Sequence, residues 1–179
     1  MSSNQRLIIE KIEQAVDILR EKDVDLWLTF VRETTQVHDP SLSLILSEDL
    51  QLTWHSAMIL TKHGDRIAIV GRFDKDNVLL TGAYKEVIGY DKSIRPPLVD
   101  VLKRINPDCI AINDSESDPS ADGLTHGLWT QLFRLLEGTP YAAKLISAED
   151  VIGALRGRKS KTEVDRVKGA IQETQRIFD

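Results

Sequence analysis

The densest run of chemically capable side chains is the acidic stretch NDSESDPSADG at 113–123. Oxygen donors at alternating positions are what a calcium loop uses, with glycine at its sixth place and glutamate at its twelfth. Counted from Asp114, the sixth place is Pro119, which cannot make the turn. Counted from Asp118, the twelfth is Trp129, which has no carboxylate. The stretch therefore reads as a polar strand-to-helix loop, with Ser120 or Asp122 expected to cap the helix that follows. The histidines, His38, His55, His63 and His126, never share one element at metal-ligand spacing. His63 falls in an expected hairpin turn, and His126 near a helix start. No G-x-S-x-G nucleophile turn, dinucleotide-binding glycine pattern or phosphate-binding loop occurs. Cys109 opens an apolar strand and reads as core rather than as a nucleophile.

One further cluster is basic: Arg156, Arg158, Lys159, Lys161, Arg166 and Lys168. No aromatic residue lies among them for base stacking, and the chain as a whole carries a net charge of -5. Such a run is expected to be a solvated face, without nucleic acid as a partner. By its own residues the sequence describes a fold without an evident active site.

The bulk numbers agree with a folded, water-facing domain. The 179 residues suffice for one core, and 41% hydrophobic with 28% charged residues excludes a disordered chain. No apolar run approaches the roughly 18 residues that span a bilayer. The amino-terminal MSSNQRLIIEKIEQ has charges inside its apolar stretch and lacks a signal-peptide pattern. A single cysteine rules out an internal disulfide framework and suits a reducing compartment. Cytoplasmic residence and no membrane partner are the expectations.

The elements that must position any site follow from periodicity. Ile8, Ile12, Ala15, Val16 and Leu19 recur at helical spacing, with Glu10, Lys11, Glu13 and Asp17 taken as the polar side. VDLWLTF (24–30) reads as a strand, and a short helix is expected after Asp39-Pro40, with Asp39 as its cap. SAMILTK (56–62) and DRIAIVG (65–71), parted by His63-Gly64, read as an antiparallel hairpin. A short helix ending at Gly82, a strand at EVIGY, a helix over 96–105 and a strand in PDCIAIN (107–113) come next. A leucine-faced helix is predicted over 122–137, then a strand at 144–148 and a helix in AEDVIGAL. Strands alternating with helices, plus one hairpin, predict an α/β domain with a mixed β-sheet flanked by helices.

The last segment, LRGRKSKTEVDRVKGAI and beyond, has its own start signal. Ser160 and Glu163 fit a reciprocal capping box, and Val164, Val167, Ile171, Thr174 and Phe178 form one apolar stripe. A lone helix of this length needs something to pack on. It either folds back on the domain or belongs to a following one.

Two stretches carry a family resemblance. PDCIAINDSESDPSADGLTHGLWTQL and KLISAEDVIGALRGRKSKTEVDRVKGAIQET resemble the amino-terminal domain of the creatinase, prolidase and Xaa-Pro aminopeptidase family, the pita-bread metallopeptidases. Arg156, Lys159, Ser160, Glu163, Val164 and Ala170 fall on the family's linker pattern, and VIGYDKSIRPPLVDVLKRINPD also fits. LWLTFVRETTQVHDP departs from the family's usual strand end. The resemblance implies a ribonuclease-H-like motif over 1–155. Residues 156–179 would then be a linker and the first turns of a catalytic domain's first helix, a hinge whose stripe packs on that domain. It implies two divalent metal ions (manganese, cobalt or zinc) held outside this chain, no catalytic or metal residue within it, a homodimer, and a peptide substrate for the whole protein. Arg32, Trp54 and His55, which flank strands, are the candidates for a substrate rim. The expected function is a non-catalytic domain of a metal-dependent Xaa-Pro aminopeptidase or dipeptidase, serving dimerisation and substrate access. The alternative is a non-enzymatic adaptor of the same fold.

Overall fold

In the computed structural model, which describes residues 3–47 and 49–178, helix α1 (Ser3–Glu21) leads into strand β1 (Leu26–Val31). The hairpin follows as β2 (Ser56–Thr61) and β3 (Arg66–Gly71), with Leu28 opposite Ile59 and Ile59 opposite Ile67. After them come α2 (Lys75–Leu80), β4 (Glu86–Tyr90), α3 (Arg95–Ile105) and β5 (Ile110–Ile112). Helix α4 (His126–Leu136), β6 (Leu145–Ser147), α5 (Glu149–Gly157) and α6 (Lys161–Phe178) complete the described residues. Among these residues the strands form one sheet in the order β4-β3-β2-β1-β5-β6. The pairs β1/β2 and β2/β3 are antiparallel, whereas β3/β4, β1/β5 and β5/β6 are parallel.

Burial on both faces explains why the central strands are apolar without a polar phase. Alternate side chains of a strand point to opposite faces. Leu26, Leu28 and Phe30 of β1 pack with Leu98 and Leu102 of α3 and with Leu128, Leu132 and Leu136 of α4. Trp27 and Val31 pack the other way, with Ile8, Ile12, Ala15 and Leu19 of α1 and Val151, Ile152 and Leu155 of α5. A sheet covered by helices on both sides leaves its inner strands no solvated face.

Several expected details shift. The helix expected over 122–137 starts only at His126, and its cap is Thr125, whose hydroxyl accepts from the Leu128 amide at 3.3 Å. Ser120 and Asp122 do not cap it; Ser120 instead donates to Asp118 within the loop. The apolar stretch after Pro40 forms only a single tight turn, Leu42–Leu44. Cys109 lies half-buried at the core margin, ahead of β5. Lys11, expected on the polar side of α1, is buried. Position 11 lies three residues after Ile8 and four before Ala15, which puts it on the apolar face.

Asp39 is the largest departure. It is buried, and its carboxylate accepts from the Ser41 amide and hydroxyl, each at 2.8 Å. It serves a network centred on Asn113. The Asn113 amide donates to Asp39 at 2.7 Å and to the Ser41 hydroxyl at 2.8 Å, while its oxygen accepts from the Trp27 indole at 2.7 Å. The Asn113 backbone carbonyl accepts from the amides of Gly123 and Leu124. Gly123 lies so close that a Cβ there would sit 1.9 Å from the Asp39 carboxylate. Asn113→Ala leaves an indole donor and a carboxylate oxygen buried without this partner. We expect a loss of about 3 kcal/mol, read as a lower urea midpoint at unchanged slope.

Candidate functional site

Arg32 follows the end of β1, where the chain must leave the sheet. Glu33 makes the exit with a left-handed backbone, φ 43°. The outgoing strand then pairs briefly with the returning one. The Glu33 amide donates to the Thr53 carbonyl at 3.2 Å, and the Thr34 amide to the Leu52 carbonyl at 3.0 Å. This short ladder brings Arg32 beside Trp54 and His55, residues more than 20 positions away in sequence. Together with Glu33, Tyr90 and Asp91 they line an open groove of about 280 Å³ at one end of the sheet.

The aromatic wall of the groove is fixed by close packing. Gly71 ends β3, and a Cβ there would lie 2.9 Å from the Trp54 ring, so only glycine lets the indole rest on the strand. Trp54 meets Phe73 edge-on, ring centres 5.9 Å apart at 82°, and Tyr90 at 5.7 Å and 44°. Phe73 is 70% exposed, and the Arg72 guanidinium lies over its ring at 4.9 Å while pairing with Asp91 at 3.1 Å. The Tyr90 hydroxyl donates to the His55 carbonyl at 2.8 Å. Burial, aided by the Asp74 carboxylate, pushes the Tyr90 phenol up to about 12.

His55 is the group of the groove whose ordinary titration lies nearest neutral pH. Its ring stacks on Phe30, centres 5.7 Å apart, and its Nε2 lies 2.8 Å from the Gln131 amide oxygen. With that oxygen as acceptor, Nε2 carries the proton and Nδ1 remains the ring's acceptor. Burial holds the imidazole below its ordinary value of 6.5; the Gln131 hydrogen bond opposes the shift, and the Arg32 charge adds to it. The groove thus offers a neutral imidazole, two aromatic faces, and two cations (Arg32 and Lys92) and two carboxylates (Glu33 and Asp91) at its mouth. These groups can bind and orient an amphipathic ligand by stacking and hydrogen bonding.

The structure brings Arg32, Trp54 and His55 into one groove; Arg156, Lys159, Ser160 and Glu163 do not line it. Ser160 and Glu163 form the expected capping box, the Ser160 amide donating to Glu163 at 2.7 Å and the Glu163 amide to the Ser160 hydroxyl at 3.2 Å. Arg156 reaches the Pro40 carbonyl, and Lys159 the Arg156 carbonyl. Sequence reasoning missed Tyr90, whose signal was an aromatic residue at the end of EVIGY. It also missed Glu33 and Asp91, which nothing in their local sequence marks. In the loop 113–123, Ser115 and Ser117 donate to Glu149, which fixes the loop on α5. Among the described residues no three histidine, cysteine or acidic side chains gather to hold a metal ion. No described helix is long and apolar enough to cross a membrane.

No family model and no curated protein matches the sequence. Solved structures do match in fold. An X-Pro aminopeptidase from Thermotoga maritima superposes with a TM-score of 0.63 at 14% identity, over 93% of this chain and 41% of its own. A Xaa-Pro dipeptidase from Bacillus anthracis gives 0.61 at 15% identity, over 88% of this chain and 38% of its own. The N-terminal domain of Xaa-Pro dipeptidase from Lactobacillus brevis gives 0.54 at 14% identity, over 80% of this chain and 98% of its own. The chain thus spans about two fifths of the two longer proteins and nearly all of the solved domain. Its mixed sheet flanked by helices is the fold of that N-terminal domain.

The His55 environment has a consequence for stability. A histidine whose charged form is disfavoured by folding contributes stability in full above its unfolded value of 6.5. That contribution is lost as pH falls through 6.5 toward the lower folded value. Between about pH 7 and about pH 5, urea midpoints of the wild-type chain should fall more than those of His55→Gln.

Proposed function

We propose that this chain is the non-catalytic N-terminal domain of a metal-dependent Xaa-Pro peptidase, aminopeptidase or dipeptidase, working as a homodimer in the cytoplasm. Its task in this reading is to shape substrate access with the groove of Arg32, Trp54 and His55. The observation that carries the proposal is the pattern of coverage: 98% of a solved Xaa-Pro dipeptidase N-terminal domain, against 38% and 41% of longer Xaa-Pro peptidases. The two divalent ions, manganese, cobalt or zinc, are assigned to a catalytic domain outside these residues.

Two features of the chain support the reading. The groove combines ring faces with charges of both signs, which suits the apolar ring and the charged termini of a short proline peptide. The stripe of α6 is open: Val167 is 56% exposed, Ile171 53% and Phe178 85%, and no described residue of α6 is buried. An amphipathic helix with an uncovered apolar face fits a partner surface in a following domain.

The isolated chain should hydrolyse no Xaa-Pro dipeptide with manganese or cobalt present, and metal-dependent turnover by residues 1–179 would overturn the proposal. In a polypeptide that also carries the metal centre, Trp54→Ala should raise KM about tenfold and leave kcat within about twofold. Unchanged KM and kcat would instead favour a groove that serves another partner, as in an adaptor of the same fold.

A further inference from the structure

Two adjacent side chains of α1, Glu10 and Lys11, carry opposite charges and meet the two ends of the α5–α6 connection. Lys11 is only 2% exposed. Its ammonium donates to the carbonyls of Leu155 at 2.7 Å and Arg158 at 2.8 Å, at the C-terminal end of α5. Its third acceptor is the Glu163 carboxylate at 3.1 Å, in the capping box of α6. Three oxygen acceptors match the three protons of an ammonium. Glu10 serves the other end, accepting from the Thr162 hydroxyl at 2.7 Å and the Thr162 amide at 3.2 Å. A cation at the end of α5 and an anion at the start of α6 each complement the local helix dipole.

The same helix face supplies further ties. Glu21 receives Arg158 in two hydrogen bonds, 2.9 and 2.7 Å, and Asn4 receives Arg166 at 2.8 Å. Apolar packing does not do this work, because no described residue of α6 is buried. A buried ammonium costs free energy even when paired, and removing it alone would leave the Leu155 carbonyl and the Glu163 carboxylate without this donor. What the charge supplies is direction.

We propose that Glu10 and Lys11 form a directional clamp, a pair of positioning residues that fixes the angle at which α6 leaves the sheet. The segment from Gly157 to Ser160 is then a set joint, not a free hinge. The proposal is independent of the functional reading above, because the direction of α6 is measured within this chain.

The test is a spin-label distance between α6 and the helix on the opposite face of the sheet, with labels at Gln172→Cys and Lys103→Cys in a Cys109→Ser background. The otherwise unsubstituted chain should give one narrow distribution. Glu10→Gln should broaden it at least about twofold while melting and helical circular dichroism stay unchanged. Lys11→Met should broaden it likewise with its helical circular dichroism kept but its melting lowered, since it strands the Leu155 carbonyl. If Lys11→Met fails to fold, Glu10→Gln decides alone, since it removes one charge from a partly exposed site. Wild-type width in the folded variants would overturn the clamp and leave the direction of α6 to other contacts.

Discussion

The amide of Asn113 is the constraint on which the rest of this architecture depends. It lies at the end of a short central strand, and both atoms of its side-chain head group are engaged. One holds the Trp27 indole in β1, and the other holds Asp39 and Ser41 from the long excursion between β1 and β2. Its backbone carbonyl fixes the approach to α4. Three segments far apart in sequence are thus referred to one residue in a low-dielectric interior. There an unmade hydrogen bond is expensive and a complete set is specific. The groove is downstream of this network. The excursion leaves the sheet with Arg32 and returns with Trp54 and His55, and its middle is anchored where Asp39 meets Asn113.

The elements were legible in the sequence because their signals are local. Helical spacing in α1, α3 and α4, the tight hairpin around Gly64, and the capping box at Ser160 each declare themselves within a few residues. What stayed hidden depends on long-range partners. By sequence Lys11 is one more surface charge; three oxygens, from α5, α6 and the turn between them, surround it in the fold. Asp39 sits where a helix cap would sit, before a proline, and only the amide of Asn113, 74 positions on, turns it inward. The start of α4 slipped to His126 because glycine, serine and aspartate at 117–123 all offer plausible caps, and the hydroxyl of Thr125 makes the bond.

The groove divides in the same way. Arg32, Trp54 and His55 could be named as residues beside strand ends. That they share one surface follows from two hydrogen bonds between outgoing and returning chain, and those bonds require a left-handed turn at Glu33 that its side chain does not favour. Tyr90 joins them from a parallel edge strand, by a pairing no short pattern specifies. The indole of the aromatic wall is packed on bare backbone at Gly71, whereas the charges at the mouth are exposed to solvent. Shape in this groove comes from close packing, and charge from solvated side chains around it.

Gly123 carries a separate lesson. Any side chain there would run into the Asp39 carboxylate, so the position is closed to the other nineteen amino acids while neighbouring loop residues can drift. This chain shares only about 14% identity with solved structures of its fold, so the folds agree where the residues mostly differ. In this chain the glycine, dictated by sterics, and the asparagine ten places before it are held by one buried network. A change at either position must therefore be answered at Asp39, a side chain that both positions touch.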